Sequence, residues 1–443
     1  MDSIKRWVVC GAAIVILTLV SPLAAQTATL DDMLKLAAVQ NGQIRAAERE
    51  MAAAQIASQK VWSMVLSKVE LQGAYRRTDQ AIQRYEQTIV PKEQSAAQLV
   101  FDQPLWNPEF FPRHAESKGI AQMALEAFRH EAQTVLLKVA EAYVEVLRLK
   151  NLVDQARKAK TAAEENHQRI QAMAKAGTVT QDVVLQAELA LNGASLMVPE
   201  REAELKIAQR RLSTLVSMDT HEINLEPPSE LPELRGNPPE FIATALDHRS
   251  DYKITNLEVE RSKNAYRAVV AQFLPTLSGR FSMTAIDRPR YDEQEEFWTA
   301  SLVLNVPLIE RGVRWYDLRY SREMMHRALL QESNKREAVS LEVHEAFVAA
   351  EKALKLVPFH EQKFRLSETR YRFVQTMMEK GTAVEAELAR AFSEMNTAEV
   401  EMINARYNFW IEFLRLQAAS GTFAKEHLTS LVQKLRASIG SGR

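Results

Sequence analysis

From Val313 to Lys380 apolar and small residues recur every three or four positions. Val339, Val343, Ala346, Phe347, Ala350 and Leu354 fall on one stripe, the mark of an amphipathic helix. The stretch contains one proline, Pro358, and no glycine. A second run, Val384 to Ala419, contains neither. Between them stands Lys380–Gly381–Thr382, where one long helix ends and an antiparallel partner begins. The same pattern occurs earlier. Arg113 to Lys175 is helical, with Val135, Val139, Ala142, Tyr143, Val146 and Leu149 on one stripe, and Ala176–Gly177–Thr178 turns the chain back toward Ser217, with an interruption expected at Pro199. At ~1.5 Å per residue some sixty residues span about 90 Å, a length that belongs to coiled coils or helical barrels.

Elsewhere the period changes to two. After a helix over Leu30 to Met64, Val69, Leu71, Gly73 and Tyr75 oppose Lys68, Glu70, Gln72 and Arg76. A loop at 78–94 follows, then Ala97, Leu99 and Phe101 oppose Gln98, Val100 and Asp102, and Pro104 is expected to end that strand. A second hairpin sets Leu277, Gly279, Phe281 and Met283 against Thr276, Ser278, Arg280 and Ser282. Its partner strand sets Trp298, Ala300, Leu302, Leu304 and Val306 against Thr299, Ser301 and Asn305, across a charged loop at 287–296.

These matches define a duplication. Gly177 precedes Gly381 by 204 residues, Glu141–Ala142–Tyr143 precedes Glu345–Ala346–Phe347 by the same 204, Leu66 precedes Leu274 by 208, and Gln103–Pro104–Leu105 precedes Val306–Pro307–Leu308 by 203. The expected division is a signal peptide at 1–25, a first repeat at 26–217, a proline-rich linker at 218–239, a second repeat at 240–420 and a tail at 421–443.

The signal reading rests on Lys5 and Arg6, the apolar run Trp7 to Val20, and Ala24–Ala25. Cys10, the single cysteine, lies inside it, so no disulfide is expected in the mature chain. Among 443 residues the net charge is −1, which offers no electrostatic footprint for nucleic acid. Strands of about ten residues with one apolar and one polar face fit a transmembrane barrel, apolar side to lipid. Four strands do not close a barrel and open edges are not tolerated in lipid, so the barrel is expected to be shared between subunits.

Helix, strand pair and very long helical hairpin, all repeated, resemble the TolC family of bacterial outer-membrane efflux channels. Gly381–Thr382 followed by Asn404–Ala405–Arg406–Tyr407–Asn408–Phe409 is similar to that family's second hairpin, and Phe273–Leu274–Pro275–Thr276–Leu277 and Val306–Pro307–Leu308 resemble its junctions. The fold class is therefore mainly α with a small β part: long helical hairpins forming an α-barrel, plus four strands per protomer in a shared transmembrane β-barrel. The resemblance implies a homotrimer in outer-membrane lipid with a periplasmic extension, meeting a periplasmic adaptor protein and, through it, an inner-membrane pump. Gly177, Thr178, Gly381 and Thr382 would form the periplasmic tip and adaptor-docking surface. Glu387 and Arg390 would line the pore aperture. Glu387 matches the first acidic ring of drug-exporting members, whereas Arg390 stands at the second; Met378 and Ala383 replace polar residues that tie the closed tip.

No G-x-S-x-G, phosphate-binding glycine loop or H-E-x-x-H is present, and the histidines are scattered. No catalytic residue, cofactor or metal is expected. The expected function is the exit duct of a tripartite efflux or type I secretion system. The alternative is a secreted periplasmic coiled-coil scaffold or adaptor protein without a membrane barrel; an adaptor would need a lipoyl-like or β-barrel domain between its helices, and none is visible.

Overall fold

The computed structural model describes residues 27–84, 87–219, 224–226, 231–289, 294–308, 311–380 and 384–429. The signal segment and the second hairpin turn, Gly381–Thr382 included, lie outside these residues. The first repeat opens with β1 (Thr27–Ala28), α1 (Leu30–Gln40) and α2 (Gly42–Gln59), followed by a 3-10 turn to Met64. Then come β2 (Lys68–Arg77), β3 (Ile82–Arg84), β4 (Gln87–Val90), β5 (Glu93–Trp106), α3 (Phe110–Lys175) and α4 (Gln181–Val216). After β6 (Asn224–Leu225) the second repeat runs α5 (Pro238–His248), α6 (Ser250–Ala271), β7 (Thr276–Asp287), β8 (Glu296–Asn305), α7 (Val313–Glu379) and α8 (Glu385–Ala419).

α3 and α7, at 66 and 67 residues, are the two long posts, each about 100 Å. At the strand end they alternate with the short helices, in the order α2–α3–α6–α7. Beyond the midpoint the order is α4–α3–α8–α7. The core is thickest where α1, α2 and α4 cover the middle of α3. There Val135, Leu136, Val139 and Tyr143 are buried, each aliphatic side chain contributing about 1.5–3 kcal/mol. The Tyr143 hydroxyl donates to the Glu226 carbonyl at 2.6 Å and lies 3.1 Å from that of Ala28, pinning the parallel β1–β6 pair; burial pushes its phenol up to about 12.

The expected Leu30–Met64 helix is broken at Asn41. Asn41 leaves the helical region (φ −62°, ψ 127°) and its Oδ1 accepts from the Gln43 and Ile44 amides, starting α2 afresh. Its Nδ2 donates to the Leu215 carbonyl at the end of α4. Arg249, 208 residues on, does the same in the second repeat. It breaks α5 from α6 with φ −64° and ψ 123°, and its Nη1 donates to the Ala419 carbonyl at the end of α8. Each repeat thus locks its bent lead helix to the last turn of its own return helix, a correspondence hidden in sequence because the two pins are chemically unlike.

Four further corrections are local. The helix is not interrupted at Pro199: α4 runs through it, as α7 runs through Pro358, each proline forfeiting one backbone bond inside a helix held by packing. β5 does not end at Pro104 but reaches Trp106 across a register shift. The 78–94 loop contains the β3–β4 hairpin. The 218–239 linker contains β6 and the start of α5.

Candidate channel wall and tip

β2, β5, β7 and β8 form one antiparallel sheet in that order, so β5 and β7 join the two repeats and β2 and β8 are open edges. Registers align the apolar positions in rows. Leu71, Leu99, Met283 and Trp298 form one, and Val69, Phe101, Phe281 and Ala300 the next. Among the described residues this face is uncovered: Leu71 is 77%, Trp298 69% and Leu302 74% exposed. The opposite face carries Gln72, Gln98, Ser282, Thr284, Thr299 and Ser301. Ser282 and Thr284 on this face are 9% and 8% exposed. An exposed apolar face opposite a more buried polar one is the inverse of a water-soluble sheet packed on a helix. Among the described residues no helix is long and apolar enough to cross a membrane.

At the far end α3 stops at Gly177, whose φ of 73° is open to glycine at no steric cost. The Gly177 amide donates to Ala174, and the Thr178 amide and hydroxyl both donate to the Met173 carbonyl, a closure of the Schellman kind. The Gly-Thr signature is therefore a helix stop. A Cβ at Gly177 would meet nothing within 4 Å, so the turn is an exposed tip.

Glu387 and Arg390 are both exposed on the first turns of α8. They are not joined to each other by an ion pair among the described residues. The sequence reading passed over Glu385. Its side chain, 12% exposed, accepts from Arg169 of α3 at 3.2 Å and links the two hairpins near the tip. That link continues a polar seam between α3 and α8: Glu141–Arg415 at 2.8 Å, Arg148–Asn404 at 2.8 Å, Asn151–Tyr407 at 2.5 Å and Gln155–Asn396 at 3.3 Å. Glu141, Arg148 and Gln155 are spaced by seven, and Arg169 by fourteen more, which is the seam of a coiled coil written in polar residues. That heptad was the available signal. It is masked by the stronger apolar stripe on the same helix.

The profile of the outer membrane efflux protein family matches residues 241–422. The whole fold is similar to that of the CmeC outer membrane channel of Campylobacter jejuni, with a TM-score of 0.77 at 16% identity over 92% of this chain and 89% of that one. The match covers the second repeat, and the similarity of fold extends over both. The chain is 24% identical over 349 residues to the alkaline protease secretion protein AprF of Pseudomonas aeruginosa, across 74% of this chain and 70% of that one. It is 21% identical to the outer membrane efflux protein BepC of Brucella suis, across 71% of this chain and 68% of that one.

Proposed function

We propose that this chain is an outer membrane efflux protein and the exit duct of a tripartite efflux or type I secretion system, a passive conduit from periplasm to exterior that performs no chemistry. The observation that carries this is the four-stranded sheet with two open edges and an uncovered apolar face, set at one end of helices about 100 Å long. The sheet lies in the outer membrane and the helices extend into the periplasm. A coiled-coil scaffold would leave the apolar sheet face in water.

Two copies would give eight strands, and an eight-stranded barrel is filled by its own side chains. Three copies give twelve strands and an open lumen. The helical layer supports closure by the same operation. Leu185, Leu189 and Leu196 on α4, and Phe359, Leu366 and Phe373 on α7, are exposed over the same stretch next to the two turns and occupy the two outer helices of the layer. A heterologous contact of α7 with the next copy's α4 closes a ring. Its tip would then receive the periplasmic adaptor and, through it, an inner-membrane pump. Valine at Gly177 adds about 1–2 kcal/mol of left-handed strain at an open position. This substitution, and its Gly381 counterpart, should impair export while leaving trimer yield in detergent extracts unchanged; joint loss of trimer and export would assign the turns to folding alone.

Three copies would set Glu387 and Arg390 around the aperture. Carboxylates facing one another across a narrow opening attract cations. In planar bilayers Glu387→Gln should lower the potassium over chloride preference and Arg390→Asp should raise it; reversal potentials unchanged in both would remove the pair from the pore.

A further inference from the structure

The polar face of the sheet is not uniformly polar. Its charges gather at the helix end, in two adjacent rows. The first row reads Lys68, Asp102, Arg280 and Ser301 across β2, β5, β7 and β8; the second reads Glu70, Val100, Ser282 and Thr299. Every charge in these rows is matched. Lys68 Nζ lies 2.6 Å from Glu70 Oε1, and Arg280 Nε donates to Asp102 Oδ1 at 2.6 Å, with Nη2 at 3.4 Å from Oδ2. Two cations and two carboxylates per protomer sum to zero. The two rows above, Gln72–Gln98–Thr284–Phe297 and Ala74–Ala96–Ile286, carry no charge. Arg76, near the outer end, is the remaining charged residue at an inward-facing strand position among the described residues.

We infer that the Lys68–Glu70 and Asp102–Arg280 pairs form a charge-compensated ring where the helical tunnel opens into the strand barrel, and that this compensation keeps that inner mouth permeable to solutes of either sign, leaving Arg76 to act only at the outer end. The inference rests on the conduit reading, which turns the polar face to the lumen. Physically, the side chains project into water at a wall that each protomer repeats. The Debye length is about 10 Å at 0.1 M salt, so an unmatched ring would impose its sign on much of the passage, whereas opposite charges 2.6 Å apart present only a short-range dipole. The class of cargo this fits is bulky and mixed in charge, such as an extended polypeptide or a zwitterionic solute, rather than ions of one sign.

The test is the reversal potential of the purified full-length oligomer in a planar bilayer under a KCl gradient. Asp102→Asn leaves three Arg280 guanidinium groups unmatched and should shift selectivity toward chloride. Arg280→Gln should shift it toward potassium, and the double variant should return close to the unaltered value. Ser301→Asp adds a carboxylate to the same row without removing a member of either pair and should also shift selectivity toward potassium. Channels of normal conductance whose reversal potential none of these changes moves would overturn the ring. Absence of any conductance from the unaltered protein would overturn both the ring and the conduit reading beneath it.

Discussion

Arginine in place of Leu302 is expected to deplete the assembled protein from the outer membrane, while arginine at the adjacent Ser301 is tolerated. Leu302 stands on β8 opposite Gly279, on the apolar face, and is largely exposed among the described residues. A guanidinium there would sit in hydrocarbon, at a cost of about 2–4 kcal/mol near the bilayer midplane. Three-fold repetition would multiply that cost within one barrel. Ser301 points to the other side of the pleat, where Arg280 and Asp102 already reside in water. The measurement is the amount of heat-resistant oligomer in the outer-membrane fraction. Equal recovery of the two variants would reverse or abolish the assigned facing.

Arg249→Met is expected to cost about 3 kcal/mol of stability at neutral pH, the scale for removing one partner of a buried ion pair. Arg249 is 8% exposed at the α5–α6 joint. It binds Asp251 through Nε and Nη2 at 3.0 and 2.8 Å, Glu342 at 2.8 Å and the Ala419 carbonyl at 3.1 Å. Lys335 meets Asp251 from α7 at 2.7 Å. Methionine keeps much of the stem volume but strips the charge, leaving a largely buried carboxylate short of its main partner. Burial pushes the Asp251 carboxyl up, but hydrogen bonds from Arg249 and Lys335 outweigh it and hold the group well below the usual carboxylate range. A depressed folded-state value contributes stability above the unfolded pKa, about 3.9, and loses it as pH falls below that point. The deficit of the variant should thus be full at pH 7 and shrink as the pH drops below about 4, read as the unfolding midpoint by circular dichroism in detergent. A deficit independent of pH would mean that packing, not charge, is what Arg249 supplies. The same joint explains Gly421, whose φ of 73° ends α8 and whose added Cβ would lie 3.0 Å from the Arg249 amide nitrogen.

The features legible in sequence are those set by periodicity and by backbone exceptions. Long apolar stripes without glycine are α3 and α7, period-two runs are the four strands of the large sheet, and Gly177 is a helix stop because its φ is positive. Proline misled at Pro104 and Pro199. The pairing of β2 with β5 begins at Lys68–Asp102, so beyond Asp102 β5 has a neighbour on one side only, the edge setting in which a strand proline is tolerated. Arg249 gave no sign of ending a helix, because its hydrogen bond runs to a helix end 170 residues away, whereas Asn41, which stands in an Asn–Gly pair and caps α2 locally, did carry a signal that the longer apolar stripe outweighed. At the tip, Glu387 and Arg390 are exposed on the first turns of α8, where their spacing from Gly381 puts them, and their place at an aperture is a proposal; Glu385 was not legible, because its ion pair depends on Arg169, a residue of the other repeat. Charge balance in the sheet was equally hidden: Asp102 and Arg280 meet only through the β5–β7 register that joins the repeats.

The claim on which the rest depends is that several copies of this chain close one barrel in the outer membrane. Native mass spectrometry of the protein extracted from outer membranes in detergent tests it most directly. A single species containing three copies of the mature chain is expected. A monomer or dimer released from the membrane, or recovery of the protein in the soluble periplasmic fraction, would contradict it.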